Sequence, residues 1–100
     1  MITPKRTDNM PKKWKIKKIK DLANAFLSLK NEEDMLGFLR DICSLEELDS
    51  LASRLEAAKL LKKDLSYREV AKKTGMSTTT VTRIAHWLKH GEGGYEKVLK

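Results

Sequence analysis

Hydroxyl side chains crowd one short stretch of this 100-residue chain, at Ser77, Thr78, Thr79, Thr80 and Thr82. β-Branched residues lose rotamer freedom in a helix, so the run is poor sequence for a merely solvated one. Short hydroxyls can bond phosphate oxygens or base edges, and a threonine methyl can meet a thymine methyl. Just upstream, Arg68 and Lys72 stand one helical turn apart and carry the charge to hold a phosphate backbone. The chemistry on offer is recognition of a polyanion. Capping and helical crowding are the ordinary explanation of such threonines, above all for Thr80, whose side can face inward.

Other reactive types are sparse. His86 and His90 lie four apart, a spacing that can bind one metal from a helix, but no third ligand is evident nearby and the pair reads as solvent-facing. Cys43 closes an apolar run and lacks a His-Asp or His-Asn setting, so it reads as a small core residue. As a single cysteine it can form neither an internal disulfide nor a zinc cluster. Gly91-Glu92-Gly93-Gly94 is too short for a phosphate cradle and follows a helix instead of a strand. Nothing points to catalysis, to a metal or to a cofactor.

The elements that must position the hydroxyls are two short helices. Ser66 with Glu69 forms a capping-box signature that opens a helix over about 67–73, and Gly75 supplies the left-handed residue that stops it. Ser77 caps the next helix, which runs to about Lys89. Val70, Ala71, Gly75, Met76, Val81 and Ile84 then supply the small crossing residue, the turn and the interlocking apolar positions that a helix-turn-helix requires. An ordinary helical hairpin with a glycine turn is the alternative. In a helix-turn-helix the start of the second helix reaches the major-groove floor, which makes Thr78, Thr79 and Thr82 the candidates for groove contact. Ser77 and Arg83 join them, with Arg68 and Lys72 on the backbone.

Upstream the sequence is helical as well. Between residues 12 and 74 the only glycine is Gly37, no proline follows Pro11, and Leu, Ala, Lys and Glu dominate. Ile16, Ile19, Leu22, Ala23, Phe26 and Leu29 form one apolar stripe on a helix of about 14–29. A helix over about 32–42 follows Asn31, with Glu32, Glu33 and Asp34 at its positive start and Met35, Leu36, Phe38, Leu39 and Ile42 as its apolar set. Ser44 and Glu47 make a second capping box before a helix of about 45–62, striped by Leu48, Leu51, Ala52, Leu55, Ala58 and Leu61. A last turn falls around Tyr95 to Leu99. The expected fold is all-α, with about six helices and no repeat. The domain plan is a basic arm without fixed structure at 1–13 and one helical domain at 14–100. Within that domain, dimerisation helices occupy 14–63, the helix-turn-helix 66–90 and a short helix 94–100.

Charge is arranged in blocks within the net +7. Residues 1–20 carry eight bases against one acid, residues 21–56 three bases against nine acids, and residues 57–100 ten bases against four acids. Two separate basic parts can therefore meet a polyanion, while the acidic middle meets something else, the chain itself being one candidate. No apolar run approaches the roughly 20 residues of a membrane span, and a cytoplasmic protein is expected. The arm could track a phosphate backbone, join Trp14, Ile16, Ile19 and Phe26 as an interfacial membrane anchor, or simply be solvated. DNA is favoured over membrane.

With those residues in view, Leu51-Ala52-Ser53-Arg54-Leu55, Leu60-Leu61, Ser66-Tyr67-Arg68-Glu69-Val70 and Thr80-Val81-Thr82-Arg83 resemble the Trp repressor superfamily, in particular its YerC/YecD-like branch. The resemblance spans about 14–99 and is specific over 45–90. It implies an obligate homodimer with interleaved N-terminal helices and one helix-turn-helix per subunit reaching successive major grooves. Independently, the stripes on the first three helices offer more apolar surface than one chain of this size can cover. The resemblance also implies a corepressor pocket in which Arg54 and Arg83 hold the ligand and Thr80 lines it. Here it departs from the family, because Ile84 replaces a glycine and Trp87 a serine. Both are bulky and would fill the space a free tryptophan needs. No tryptophan response is expected, and no small effector is favoured over a different one. Arg54 and Arg83 could otherwise pair with Glu56, Asp49 or another acid, or Arg83 could reach a DNA phosphate.

The sequence thus predicts a non-enzymatic, dimeric, sequence-specific regulator of double-stranded DNA, expected in a bacterial cytoplasm at the nucleoid. A repressor acting on a pseudo-palindromic site is favoured. The competing class is a helical interaction module or a nonspecific nucleic-acid binder that relies on its arm.

Overall fold

The computed structural model describes residues 13–100, so nearly all of the basic arm expected at 1–13 lies outside the described residues. Six α-helices and no strand occur among those described: α1 (Lys17–Leu27), α2 (Glu32–Ile42), α3 (Leu45–Lys62), α4 (Tyr67–Thr74), α5 (Thr78–His90) and α6 (Gly94–Val98). No helix among them is long and apolar enough to cross a membrane. The chain divides into two compact units, one ending at Asp41 and one beginning at Ile42.

In the first unit, α1 is shorter than the stripe suggests. Ile16 sits in extended backbone (φ −82°, ψ 169°) with no side-chain cap, so Trp14 and Ile16 precede the helix. Asn31 caps α2 as expected. Its Oδ1 accepts the Asp34 amide at 2.8 Å, and its Nδ2 donates to the Asp34 carboxylate at 3.0 Å. Phe26 of α1 meets Phe38 of α2 edge to face, with centroids 5.4 Å apart. Neither helix contains a buried residue.

The second unit holds the core. α3, α4 and α5 pack on one another around Ala57, Ala58, Val70, Val81 and Ile84. Leu60, Leu61, Leu65, Ala71, Met76, Leu88, Tyr95 and Leu99 close around them. The stripe expected on α3 is corrected by this packing. Ala57 and Leu60, which the stripe omits, join the core, whereas Leu51 remains 47% exposed and Ala52 is exposed. The physical reason is that α4 and α5 both cross the C-terminal half of α3, and the small Ala57 and Ala58 let two backbones approach one face. Asp64, with φ +66°, turns the chain from α3 into α4. At the far end, Lys62 of α3 pairs with Glu96 of α6.

Candidate nucleic-acid interface

Local hydrogen bonding fixes where α4 and α5 begin. Ser66 Oγ accepts the Glu69 amide at 3.1 Å while the Glu69 carboxylate accepts the Ser66 amide at 2.9 Å. These bonds from Ser66 hold the Glu69 carboxyl below the usual carboxylate range, with a smaller contribution from Lys73. α4 ends at Gly75, whose φ of +78° is the left-handed conformation expected there, and the Gly75 amide reaches Ala71 O at 2.9 Å. Thr74 was not singled out by sequence, yet its hydroxyl donates to Val70 O at 2.7 Å and accepts the Met76 amide at 3.3 Å, bracing the turn. The only signal for it was its place beside the glycine.

All six scaffold positions come together. Val70 and Val81 are fully buried and Ile84 is 5% exposed, with Ala71 and Met76 packed against them around the Gly75 turn. The two helices are thus locked as a pair on α3, which an isolated hairpin would not need.

This packing leaves the start of α5 in solvent, and the hydroxyls there divide into two groups. Ser77 is the N-cap: its Oγ accepts the Thr80 amide at 3.1 Å and donates to Thr80 Oγ1 at 3.0 Å. Thr80 is half-buried, on the inward side. Thr82 is exposed, but its hydroxyl proton is given to Thr78 O at 2.9 Å. Thr78 and Thr79 are exposed, and among the described residues their hydroxyls make no hydrogen bond. Arg68 and Lys72 are exposed one turn apart on α4, and Arg83 is exposed on α5. Two free hydroxyls at a helix start can approach a phosphate backbone and the base edges beside it, and exposed cations can bond phosphates.

The positions of the suspected pocket fall differently. Ile84 is a core residue of the helix-turn-helix, and Trp87 is half-buried with its ring edge-on to His86 at 4.8 Å. Arg54 and Arg83 are exposed, and neither forms an ion pair with Asp49, Glu56 or any other acid among the described residues. Their side chains reach into solvent, where an isolated ion pair gains little. His86 and His90 are exposed side by side, and no group of three or more His, Cys, Asp or Glu that could hold a metal occurs among the described residues.

Comparison with known proteins gives a consistent picture. The chain is 39% identical over 83 residues to the uncharacterized protein YerC of Bacillus subtilis (strain 168), covering 83% of this chain and 80% of that one. Its fold is similar to the crystal structure of a TrpR-like protein from Eubacterium eligens ATCC 27750. The TM-score is 0.80 at 35% identity, over 92% of this chain and 91% of the other. The Trp repressor protein family matches residues 17–100. With α4 and α5 as its helix-turn-helix, the chain belongs to the Trp repressor family of DNA-binding regulators.

Proposed function

We propose that the protein is a non-enzymatic, sequence-specific regulator that binds a pseudo-palindromic double-stranded DNA site as a homodimer and acts as a repressor. The observation that carries the proposal is the exposed start of α5. Thr78 and Thr79 present unbonded hydroxyls there while Arg68 and Lys72 stand ready for phosphate. In this arrangement Thr78, Thr79 and the methyl of Thr82 read base edges, and Ser77 and Arg83 bond flanking phosphates. The α4 cations fix the register. Two copies related by a two-fold axis place two such helices in successive major grooves, about 34 Å apart. Occupied at a promoter, the dimer excludes polymerase.

Self-association is supported by the apolar surface left in one chain. Leu27 is 77% exposed, Leu36 57% and Leu45 63%, and nothing in α1 or α2 is buried. A second copy is the occupant that such striped helices fit. Binding is proposed to be independent of tryptophan, because Trp87 and Ile84 replace the small residues through which the indole would enter.

Selection of bound duplexes from a random pool tests the specific reading. A half-site repeated with two-fold symmetry is expected, and Thr79→Ala should weaken binding to it. Failure of both would favour the nonspecific or interaction-module alternative, in which affinity comes from the arm and falls steeply with salt. Sedimentation at micromolar protein should give a dimer; a stable folded monomer refutes that part. Calorimetric titration with L-tryptophan should show no heat, and micromolar binding would refute the filled pocket.

A further inference from the structure

His86 and His90 project from one face of α5, both exposed, with ring centroids 4.9 Å apart and planes tilted by 44°. Metal–imidazole bonds of about 2.0–2.1 Å place two nitrogens on one ion roughly 3 Å apart, and therefore two ring centres roughly 4–5.5 Å apart. The observed spacing falls in that range, because one helical turn already brings positions i and i+4 together. We propose that His86 and His90 form a two-imidazole site for a divalent transition metal ion, taking Cu2+, Ni2+ or Zn2+ in preference to Mg2+ or Ca2+.

The donor set decides this selectivity. Imidazole nitrogen suits the later transition metals, whereas the hard cations need oxygen ligands, and α5 carries no carboxylate. Arg83 lies one turn before His86 and Lys89 directly before His90, so the charges on α5 do not attract a cation and the nitrogen bonds must carry most of the affinity. Water completes the coordination sphere. The ion ties together the last turn of α5, where the Gly91 amide bonds Trp87 O at 2.9 Å.

Trp87 provides the readout, since its ring centre is 4.8 Å from that of His86. Open-shell Cu2+ at His86 quenches a neighbouring indole, and closed-shell Zn2+ at the same site does not. Trp14 is the only other tryptophan, so the full chain carrying Trp14→Phe reports on Trp87 alone. Titration with Cu2+ at pH 7.5 in a non-coordinating buffer should give saturable quenching at one ion per chain. Zn2+ should restore the emission by competition, and Mg2+ should do nothing. His86→Gln and His90→Gln alter exposed positions and preserve the fold, as circular dichroism can verify, and each should weaken the Cu2+ response at least tenfold. Quenching that fails to saturate, that Zn2+ cannot reverse, or that survives unchanged in either variant overturns the site. None of these outcomes depends on DNA binding.

Discussion

Ser77 performs two separable tasks, one structural and one proposed at the DNA, and a pair of substitutions can divide them. Its hydroxyl accepts the Thr80 amide at 3.1 Å and donates to Thr80 Oγ1 at 3.0 Å, so Ser77→Ala strips α5 of its cap. Caps of this kind contribute about 1 kcal/mol, and this one stands in solvent, where water partly replaces it. In a domain of this size that corresponds to a fall in Tm of roughly 4–8 °C. Ser77→Asp keeps an acceptor at the same amide and adds a charge that the helix start favours by about 0.3–1 kcal/mol, so Tm should hold or rise slightly. At the DNA the order reverses. A carboxylate about 6 Å from a phosphate repels it by roughly 0.7 kcal/mol in bulk water and about 3 kcal/mol at an interfacial dielectric of 20. Ser77→Asp should therefore weaken binding between about 3-fold and 100-fold, more at low salt, while Ser77→Ala costs only a few-fold once measured well below its Tm. Thermal unfolding and fluorescence anisotropy on a selected duplex are the assays. If Ser77→Asp is as stable as the parent and binds as tightly, the start of α5 does not face DNA and the proposed interface is refuted.

Further tests separate backbone, packing and charge. Gly75→Ala places a Cβ in open space at φ +78°, so its cost is conformational alone, about 1–2 kcal/mol by thermal unfolding, and Gly75→Asn should lose less. Gly91→Ala differs in kind: its Cβ would lie 2.5 Å from Trp87 O, so the end of α5 must shift and Trp87 emission should change, as it should not in Gly75→Ala. Val81→Ala empties a fully buried position at the centre of the core, with an expected loss of about 2–3 kcal/mol in denaturant unfolding from two methyls and the cavity they leave. Glu69 has a carboxyl pKa lowered by its bonds from Ser66, so the charged form stabilises the fold above the ordinary carboxyl pKa and that contribution disappears as pH falls through the lowered value. Glu69→Gln keeps the acceptor without the charge, and the Tm gap between it and the parent should be present at pH 7 and close on acidification.

Local signals were the legible part of this protein. Ser44–Glu47 and Ser66–Glu69 each make both bonds of a capping box, Ser77 caps α5, and Gly75 adopts the left-handed turn. Each depends on residue types three positions apart or on a single backbone angle, which is information a sequence holds directly. A run of β-branched side chains at a helix start has few structural uses, which singles out Thr78 and Thr79 in the sequence, and both are exposed in the structure. What sequence could not resolve depends on neighbours distant along the chain. Ala57 and Leu60 lie off the α3 stripe yet enter the core because α4 and α5 both cross there. Ile84 is both a scaffold and a pocket position, and its burial in the core depends on the helices packed around it, which the sequence does not show. The positive φ of Asp64 has no glycine to announce it, and the Lys62–Glu96 pair joins residues 34 apart.

The two compact units also differ in what a single chain can complete, and the difference bears on function. α3 to α6 enclose their own buried residues, so the geometry that presents Thr78 and Thr79 is fixed within a single chain. α1 and α2 enclose none, and their apolar side chains gain burial only by meeting something further. Charge is divided differently. The acid excess of residues 21–56 falls on α2 and the first two-thirds of α3, where it would repel DNA, whereas α1 carries three lysines against one aspartate and the base excess of residues 57–100 falls on the stretch that contains the helix-turn-helix. In the proposed dimer the proposed recognition surface is formed before assembly, and assembly supplies the spacing between two such surfaces. Dilution below the dimer constant should then unfold or expose the N-terminal helices first, and cost affinity for a two-fold site far more than it costs the helix content of α3 to α5.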